Sequence, residues 1–162
     1  MLNKKVSALI NEQINKEFYS AYLYLDFANY YYDLGLDGFA KWYDVQAGEE
    51  RDHAMKLRDY MIDNGERVTL DAIDKPNPKL ESALDPLKLG LEHERYVTAL
   101  INKIYKTAIE VDDYRTMQFL DWYVKEQCEE EKNAEGLLKK YELFGHDAKG
   151  LYSIDKDLAA RQ

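Results

Sequence analysis

Apolar residues recur every three or four positions along four long segments of the chain. This spacing puts them on one face of a helix and is typical of amphipathic helices that share a core. The pattern predicts helices at about Asn3–Asp33, Gly38–Asn64, Asp85–Val111 and Tyr114–Phe144. A short amphipathic piece follows, with Leu151, Ile154 and Leu158 on one side. It is too short to be stable alone, so it should dock on something, such as a neighbouring subunit.

Two short turns and one long connection separate the four predicted helices. The segment 34–38 contains two glycines, and Asp112–Asp113 is a second tight turn. From Glu66 to Ser82 the helical pattern is lost, and Pro76 and Pro78 favour an extended chain. The second helix is about 40 Å long, and the connection reaches roughly 55 Å. It can therefore return along the whole bundle and start the third helix parallel to the second.

These elements predict an all-α fold, namely a four-helix bundle with one long crossover between its second and third helices and a short fifth helix. We assign residues 1–145 to the bundle and residues 146–162 to the short helix, within the same domain. A length of 162 residues suits one domain with a substantial core.

Charge and cysteine content narrow the functional classes. The net charge of −9 argues against nucleic acid and anionic membrane surfaces as partners, and it favours cations. Cys128 is the single cysteine, so a reducing cytoplasm is the simpler compartment. The first ten residues have no apolar signal core, and no apolar run approaches the roughly 20 residues that span a bilayer.

Each long helix carries an ionisable or amide side chain within its apolar face, near the middle of the helix. In chain order these residues are Glu17, Glu50 and His53, Glu94, then Gln127 and Glu130. Mid-length positions on four packed helices lie at one level of the bundle. Four carboxylates at one level repel one another or take up protons unless cations neutralise them. Two divalent ions would match their charge.

The residue types indicate which metal suits this layer. Glu50 and His53 are three apart, so they share a helix face and can hold one ion together. Carboxylates with one imidazole form an oxygen-rich site, suited to iron or manganese more than to copper. Glu50 is the natural bridge between two ions, with Glu17 and His53 on one and Glu94 and Glu130 on the other.

A second acidic cluster and one tyrosine are open to two interpretations each. Glu126, Glu129 and Glu130 are spaced by three and four, and Glu49 could reach the same region. A solvated acidic face explains this spacing as well as a metal site does.

Tyr24 shares the face of Glu17, two turns away. One interpretation is that Tyr24 simply packs in the core. The other is that it lies beside the metals, where it donates a hydrogen bond to a ligand or supplies an electron.

Several segments together resemble the ferritin family, specifically the non-haem ferritins of bacteria and archaea. The matching segments cover nearly the whole chain and are Asn11-Glu12-Gln13 with Glu17, Glu49 to His53, Glu92-His93-Glu94, Gln118 to Gln127, Gly150-Leu151-Tyr152 and Ile154-Asp155-Lys156. Ferritin-like bundles carry inward glutamates and Glu-x-x-His ligands.

The resemblance implies a homo-oligomeric shell of 24 subunits that oxidises ferrous iron with dioxygen or hydrogen peroxide and stores the ferric mineral inside. It implies a first iron on Glu17, Glu50 and His53, and a second on Glu50, Glu94 and Glu130. Gln127 would line the oxidation site, and Tyr24 would stand beside it. The prokaryotic branch implies a third iron site made by Glu49, Glu126, Glu129 and Glu130.

Departures from related families argue against haem and an iron–sulfur module. In bacterioferritins, a haem-binding methionine follows the bridging glutamate, and here Arg51 occupies that place, so haem is not expected. The chain also has no Cys-x-x-Cys pair that could bind an iron–sulfur cluster. Two alternatives to iron storage are a diiron oxidoreductase, such as a peroxidase, that keeps its metals as a permanent cofactor, and a purely structural helical oligomer or a subunit that needs a partner chain.

Overall fold

The computed structural model describes residues 1–162 and contains five helices. They are α1 (Lys4–Asp33), α2 (Asp37–Asp63), α3 (Asp85–Glu110), α4 (Tyr114–Phe144) and α5 (Ala148–Leu158). The predicted all-α bundle with a short fifth helix is confirmed, and the four long helices begin and end within one residue of the predicted bounds. None of the five helices combines the length and the apolar character needed to cross a membrane.

Local sequence explains most helix ends. The side chain of Asn3 accepts a hydrogen bond from the backbone of Lys5 and caps α1, and Asp113 caps α4 through the backbone N–H of Thr116. Gly35 and Gly65 have φ values of 75° and 74°, in the left-handed region that glycine tolerates without strain. These glycines end α1 and α2 and allow the chain to leave each helix.

Side chains of α1 hold the long crossover between α2 and α3. Asn11 exchanges two hydrogen bonds of 2.9 Å with the backbone of Thr69. Nearer the start of the crossover, Glu66 accepts hydrogen bonds from the Leu2 N–H and the Ser7 hydroxyl. Near its end, Tyr31 donates to the carbonyl of Ala83 at 2.7 Å. The crossover therefore follows α1 along the bundle and returns the chain to start α3.

Two hydrophobic clusters fill the bundle on either side of a polar layer. One cluster joins the start of α2 to the start of α3, through residues such as Phe39 and Leu87. The other joins their ends, through residues such as Leu57 and Ile104. Consequently α2 and α3 run in the same direction, as the crossover length predicts. The layer between the clusters holds buried Glu17, Glu50, His53, Glu94, Gln127 and Glu130.

The fifth helix docks on the bundle of its own chain. Ile154 and Leu158 are 3% and 7% exposed and belong to the same cluster as Phe39. The neighbouring subunit suggested from sequence is therefore not needed to bury this face. Asp155 also accepts hydrogen bonds from the backbone N–H groups of Gly38 and Phe39, at 2.8 and 3.0 Å. It caps α2, whose own N-cap residue, Leu36, makes no side-chain capping hydrogen bond.

Replacing Gly38 with alanine should displace α5. A Cβ atom there would lie 1.7 Å from the carbonyl oxygen of Asp155, so backbone must move. We expect a loss of about 2 kcal/mol in the free energy of unfolding, measured by denaturant or thermal unfolding. Gly48→Ala on the same helix is the matched control, because no atom lies within 4 Å of its Cβ position. That control should instead gain roughly 0.5 kcal/mol. Equal destabilisation in both variants would contradict this account of α5 docking.

Candidate metal centre

The polar layer contains a first group of metal-ligating side chains on α1 and α2. Glu17, Glu50 and His53 each offer one ligand atom, and these atoms lie within 4.8 Å of one another. Glu17 and Glu50 are each 1% exposed and His53 is 5% exposed. Glu50 and His53 meet because they are one helical turn apart, and the Nδ1 atom of His53 lies 3.3 Å from a carboxylate oxygen of Glu50.

A second group spans three helices and shares one residue with the first. Glu50, Glu94 and Glu130 also place one carboxylate oxygen each within 4.8 Å of one another. Glu94 and Glu130 are 3% and 6% exposed. Because Glu50 belongs to both groups, the layer contains two adjoining sets of donors joined by one carboxylate. This arrangement can hold two neighbouring cations, with Glu50 able to contact both.

Neutral hydrogen-bond donors orient the carboxylates. Gln13 donates to Glu17 at 2.9 Å, and Gln46 donates to Glu130 at 2.5 Å and to Glu50 at 3.5 Å. Amide donors of this kind fix ligand rotamers without adding charge, as second-shell partners do in metal sites.

Glu94 receives hydrogen bonds from two of the predicted site residues. The amide of Gln127 donates to its carboxylate at 3.1 Å, and the hydroxyl of Tyr24 donates to its other oxygen. Tyr24 is 1% exposed and packs against Phe27 and Tyr43. Tyr24 therefore packs in the core and also donates a hydrogen bond to a candidate ligand.

One carboxylate oxygen in the layer has no hydrogen-bond partner. It is the Oε2 atom of Glu17, which is fully enclosed by the protein. A buried acceptor without a donor is costly, and most such groups in folded proteins are satisfied. Glu17 belongs to the first group, where His53 and Glu50 supply the other donor atoms. A cation bound there would satisfy this oxygen, so the residues present fit a metal ion.

Burial without a cation drives the layer toward protonation. Burial raises the pKa of Glu17 to about 8, and the charge of Glu50 adds to the rise. Burial likewise raises the pKa of Glu130 to about 8 and that of Glu94 to about 7. The pKa of Glu50 is also raised, first by burial and then by Glu94 and Glu130. A divalent cation opposes both causes, because it favours the ionised form of each carboxyl group.

The predicted third cluster is only partly assembled. His53, Glu126 and Glu130 form a group with ligand atoms within 4.8 Å, so Glu126 lies beside the first two groups. Glu49 and Glu129 were expected here and are absent from this group. Glu49 pairs instead with Arg161 at 2.8 Å, and the side chain of Glu129 faces solvent. Helical spacing predicts which residues are neighbours on a helix, but it does not show which way each carboxylate turns.

Sequence reasoning missed the supporting residues of the layer. Gln13 precedes Glu17 by four positions, and Gln46 precedes Glu50 by four. Four residues is the spacing of neighbours on one helix face, so this repeated Gln-x-x-x-Glu pattern was the available signal. Trp122 is 37% exposed and packs edge-on to His53. No sequence pattern pointed to that contact.

Comparison with known proteins identifies the family. The family model described as a ferritin-like domain matches residues 7–144, which include α2, α3, α4 and all but the first three residues of α1. The chain belongs to the ferritin family. It is 40% identical over 98% of its length to a probable bacterial non-heme ferritin-like protein of Haemophilus influenzae, covering 96% of that protein. It is also 40% identical over 96% of its length to a bacterial non-heme ferritin of Campylobacter jejuni, covering 93% of it.

Solved ferritin structures share the whole fold of this chain. The open pore ferritin of Archaeoglobus fulgidus matches with a TM-score of 0.98 and 41% identity, over 100% of both chains. A closed form of the Archaeoglobus fulgidus ferritin, engineered by mutagenesis, matches with a TM-score of 0.97 and 42% identity, over 100% of this chain and 99% of the other. Ferritin family membership and this fold support a role in iron storage by a multi-subunit homo-oligomer.

Proposed function

We propose that this ferritin oxidises ferrous iron at the layer of paired carboxylate groups and stores the ferric product inside a shell of 24 copies. One observation carries the proposal, namely that buried Glu50 belongs to two adjoining groups that together supply four carboxylates and one imidazole. Burial of so much negative charge is costly in a metal-free protein. It is an advantage in a protein that must attract two divalent ions to neighbouring positions.

The two groups suggest how ferrous ions are held. Glu17, Glu50 and His53 would bind the first ion, and Glu50, Glu94 and Glu130 the second. Gln127 would line the site and orient Glu94 through its amide, without acting as a strong ligand. A cavity of about 20 Å³ lies beside Glu94 and Glu130, with room for about one water-sized molecule. That space would admit a small reactant next to the second ion.

The proposed reaction balances with dioxygen as the oxidant. Two ferrous ions each give up one electron, and dioxygen takes two electrons and two protons to become hydrogen peroxide. Hydrogen peroxide as oxidant would take two further electrons and two protons to become two waters. Tyr24 donates a hydrogen bond to Glu94 and would hold that ligand in position. The site has only one imidazole ligand to anchor the ions. Such a ligand set favours the passage of iron through the site over permanent retention.

We infer that ferric iron leaves towards Glu126, which contacts both groups through His53 and Glu130. Glu49 and Glu129 would complete a third iron site there after their side chains turn. This order places the third site between the oxidation site and the stored mineral. No haem is expected at any of these positions.

We further propose that residues 146–162 form one domain with the bundle, and that copies of the chain are the partners in the shell. Large apolar side chains stay exposed on the single chain, among them Tyr22, Leu25 and Ile109. Such surfaces are typical of faces that pack against another subunit. A net charge of −9 and a single cysteine favour a cytoplasmic protein without nucleic-acid or membrane partners.

Iron loading separates storage from the alternative of a diiron oxidoreductase that retains its metals. We expect the purified protein to take up ferrous iron in air far beyond the few ions its carboxylates can bind, and to keep the ferric product in solution. Absorbance during stepwise iron addition, with multi-angle light scattering for particle mass, measures both properties. Saturation at two ions per chain would contradict storage, and a particle mass far below that of 24 chains would contradict the shell.

A further inference from the structure

Arg161 lies beyond the end of α5 and reaches back across α2 towards the metal centre. One guanidinium nitrogen donates to the backbone carbonyl of Trp42 at 3.0 Å, and the guanidinium carbon lies 3.9 Å from the centre of the indole ring. The Arg161 side chain is only 16% exposed. Two contacts of different kinds, a hydrogen bond and a cation–π contact, therefore hold this cation in one place.

The guanidinium group binds the carboxylate of Glu49, which the proposed third metal ion would also need. Its Nη2 atom lies 2.8 Å from a carboxylate oxygen of Glu49, which is 44% exposed and absent from the groups able to hold a cation. An arginine at this distance supplies a positive charge and a hydrogen bond to the same oxygen. The charge of Glu49 is thereby paired with Arg161, and Glu49 does not join the group formed by His53, Glu126 and Glu130.

The same nitrogen also contacts Gln46, which orients Glu130 of the second group. Arg161 Nη2 donates to the Oε1 atom of Gln46 at 3.1 Å, and the Nε2 atom of Gln46 donates to Glu130 at 2.5 Å. A guanidinium group has donors only, so it fixes which end of the amide faces Glu130. Arg161 therefore holds Glu49 outside the centre while it positions Gln46 towards Glu130.

We propose that Arg161 is a tethered counter-ion that competes with a third metal ion for Glu49. The third ion binds Glu49 only when the guanidinium group leaves it, so Arg161 keeps the third position weaker than the first two. Ions released from the oxidation site then pass on instead of staying at the third position. This inference rests on the proposed function, because it assumes that metal ions occupy the two groups that share Glu50.

Zinc binding tests the competition without any redox chemistry. Calorimetric titration of the metal-free protein with Zn(II) should show two tight sites per chain and a weaker third. In Arg161→Gln the third site should bind roughly fivefold more tightly, the factor expected from losing one partly exposed ion pair. Arg161→Lys keeps the charge and should stay near the wild-type affinity. Lys156→Gln removes the same charge from the exposed side of α5 and should change nothing.

If Arg161 only supported folding, its effect would not depend on Glu49. The double variant Arg161→Gln with Glu49→Gln therefore decides between the two roles. Glu49→Gln should weaken the third site by itself and should abolish the gain from Arg161→Gln. The fluorescence of Trp42 gives a second readout, in a Trp122→Phe background that leaves one indole. The emission should change as the third equivalent of Zn(II) binds, and the change should be absent when Arg161 is replaced by Gln.

Failure of the inference is distinct from failure of the proposed function. Two tight zinc sites with a third site that is indifferent to Arg161→Gln would overturn the competition and leave the oxidation site intact. A gain from Arg161→Gln that persists in the Glu49→Gln background would also overturn it. Absence of any tight zinc site in the wild-type protein would overturn both proposals together.

Discussion

Replacing Glu50 with glutamine should abolish rapid oxidation of ferrous iron while leaving the bundle folded. Glu50 belongs to both metal groups, so the neutral amide removes a ligand charge from two ions at once. Loss of a supporting residue in a metal site costs about 10- to 100-fold in affinity, and loss of a shared ligand should cost at least about 100-fold. Stopped-flow absorbance after mixing with ferrous iron measures the rate, and zinc calorimetry measures the two tight sites.

The control for this variant is Glu12→Gln, which makes the same chemical change at an exposed position of α1. It should oxidise iron at the wild-type rate. Glu50→Gln should also keep the wild-type helix content and particle mass, because it removes a buried charge and creates no cavity. An oxidation rate in Glu50→Gln equal to that of Glu12→Gln would refute the proposed oxidation site.

The metal-free protein should lose thermal stability as the pH rises from 6.5 to 8. Burial raises the pKa of Glu17 and Glu130 to about 8 and that of Glu94 to about 7, from an ordinary value of 4.5. At the start of this window the unfolded chain has released these protons, whereas the folded chain holds most of them and releases them only as the pH approaches 8. Folding therefore takes up protons, and each rise in pH disfavours it. The stability from these groups is complete below pH 4.5 and is lost as pH passes the folded-state pKa values.

The lower limit of this window is set by His93. Burial lowers the pKa of His93 from 6.5 to about 4, so this residue destabilises the fold below pH 6.5 and opposes the carboxyl groups there. Between pH 6.5 and 8 the carboxyl groups dominate, and the melting temperature should fall on the order of 10 °C. Differential scanning fluorimetry of chelator-treated protein measures this fall.

Bound zinc should oppose this loss of thermal stability, because the carboxyl groups bind zinc in their ionised form and zinc affinity therefore rises with pH. The difference in melting temperature between zinc-loaded and metal-free protein should therefore widen from pH 6.5 to 8. Glu17→Gln removes one of the titrating groups and should make the metal-free slope shallower. A melting temperature of the metal-free protein that is flat or rises over this range would contradict the assignment.

Much of the fold followed from the sequence because its signals are local. The bounds of α4 matched Tyr114–Phe144, since Asp113 caps its start and Gly145 ends it. By contrast, α2 begins one residue earlier than predicted. Its cap is Asp155, which lies far along the chain and reaches α2 only after α5 has docked. The periodicity of one segment cannot predict a contact with a residue that lies far away in the sequence.

The metal centre shows the same division between local and distant information. Periodicity placed Glu17, Glu50, Glu94 and Glu130 at one level, because burial constrains a helix face strongly. It did not predict that Glu49 turns to Arg161, because the rotamer of a half-exposed carboxylate depends on whichever cation lies near it. The roles of Gln13 and Gln46 are predictable from the sequence, since each lies one helical turn before a candidate ligand.

The long crossover divides the chain into two hairpins, α1 with α2 and α3 with α4. The first hairpin holds Glu17, Glu50 and His53 complete, whereas Glu94 and Glu130 of the second need Glu50 from the first. One ion can thus bind before the halves meet, and the other only afterwards. At the proposed oxidation site, the second ion would therefore bind only after the two hairpins have paired, and it would stabilise their pairing.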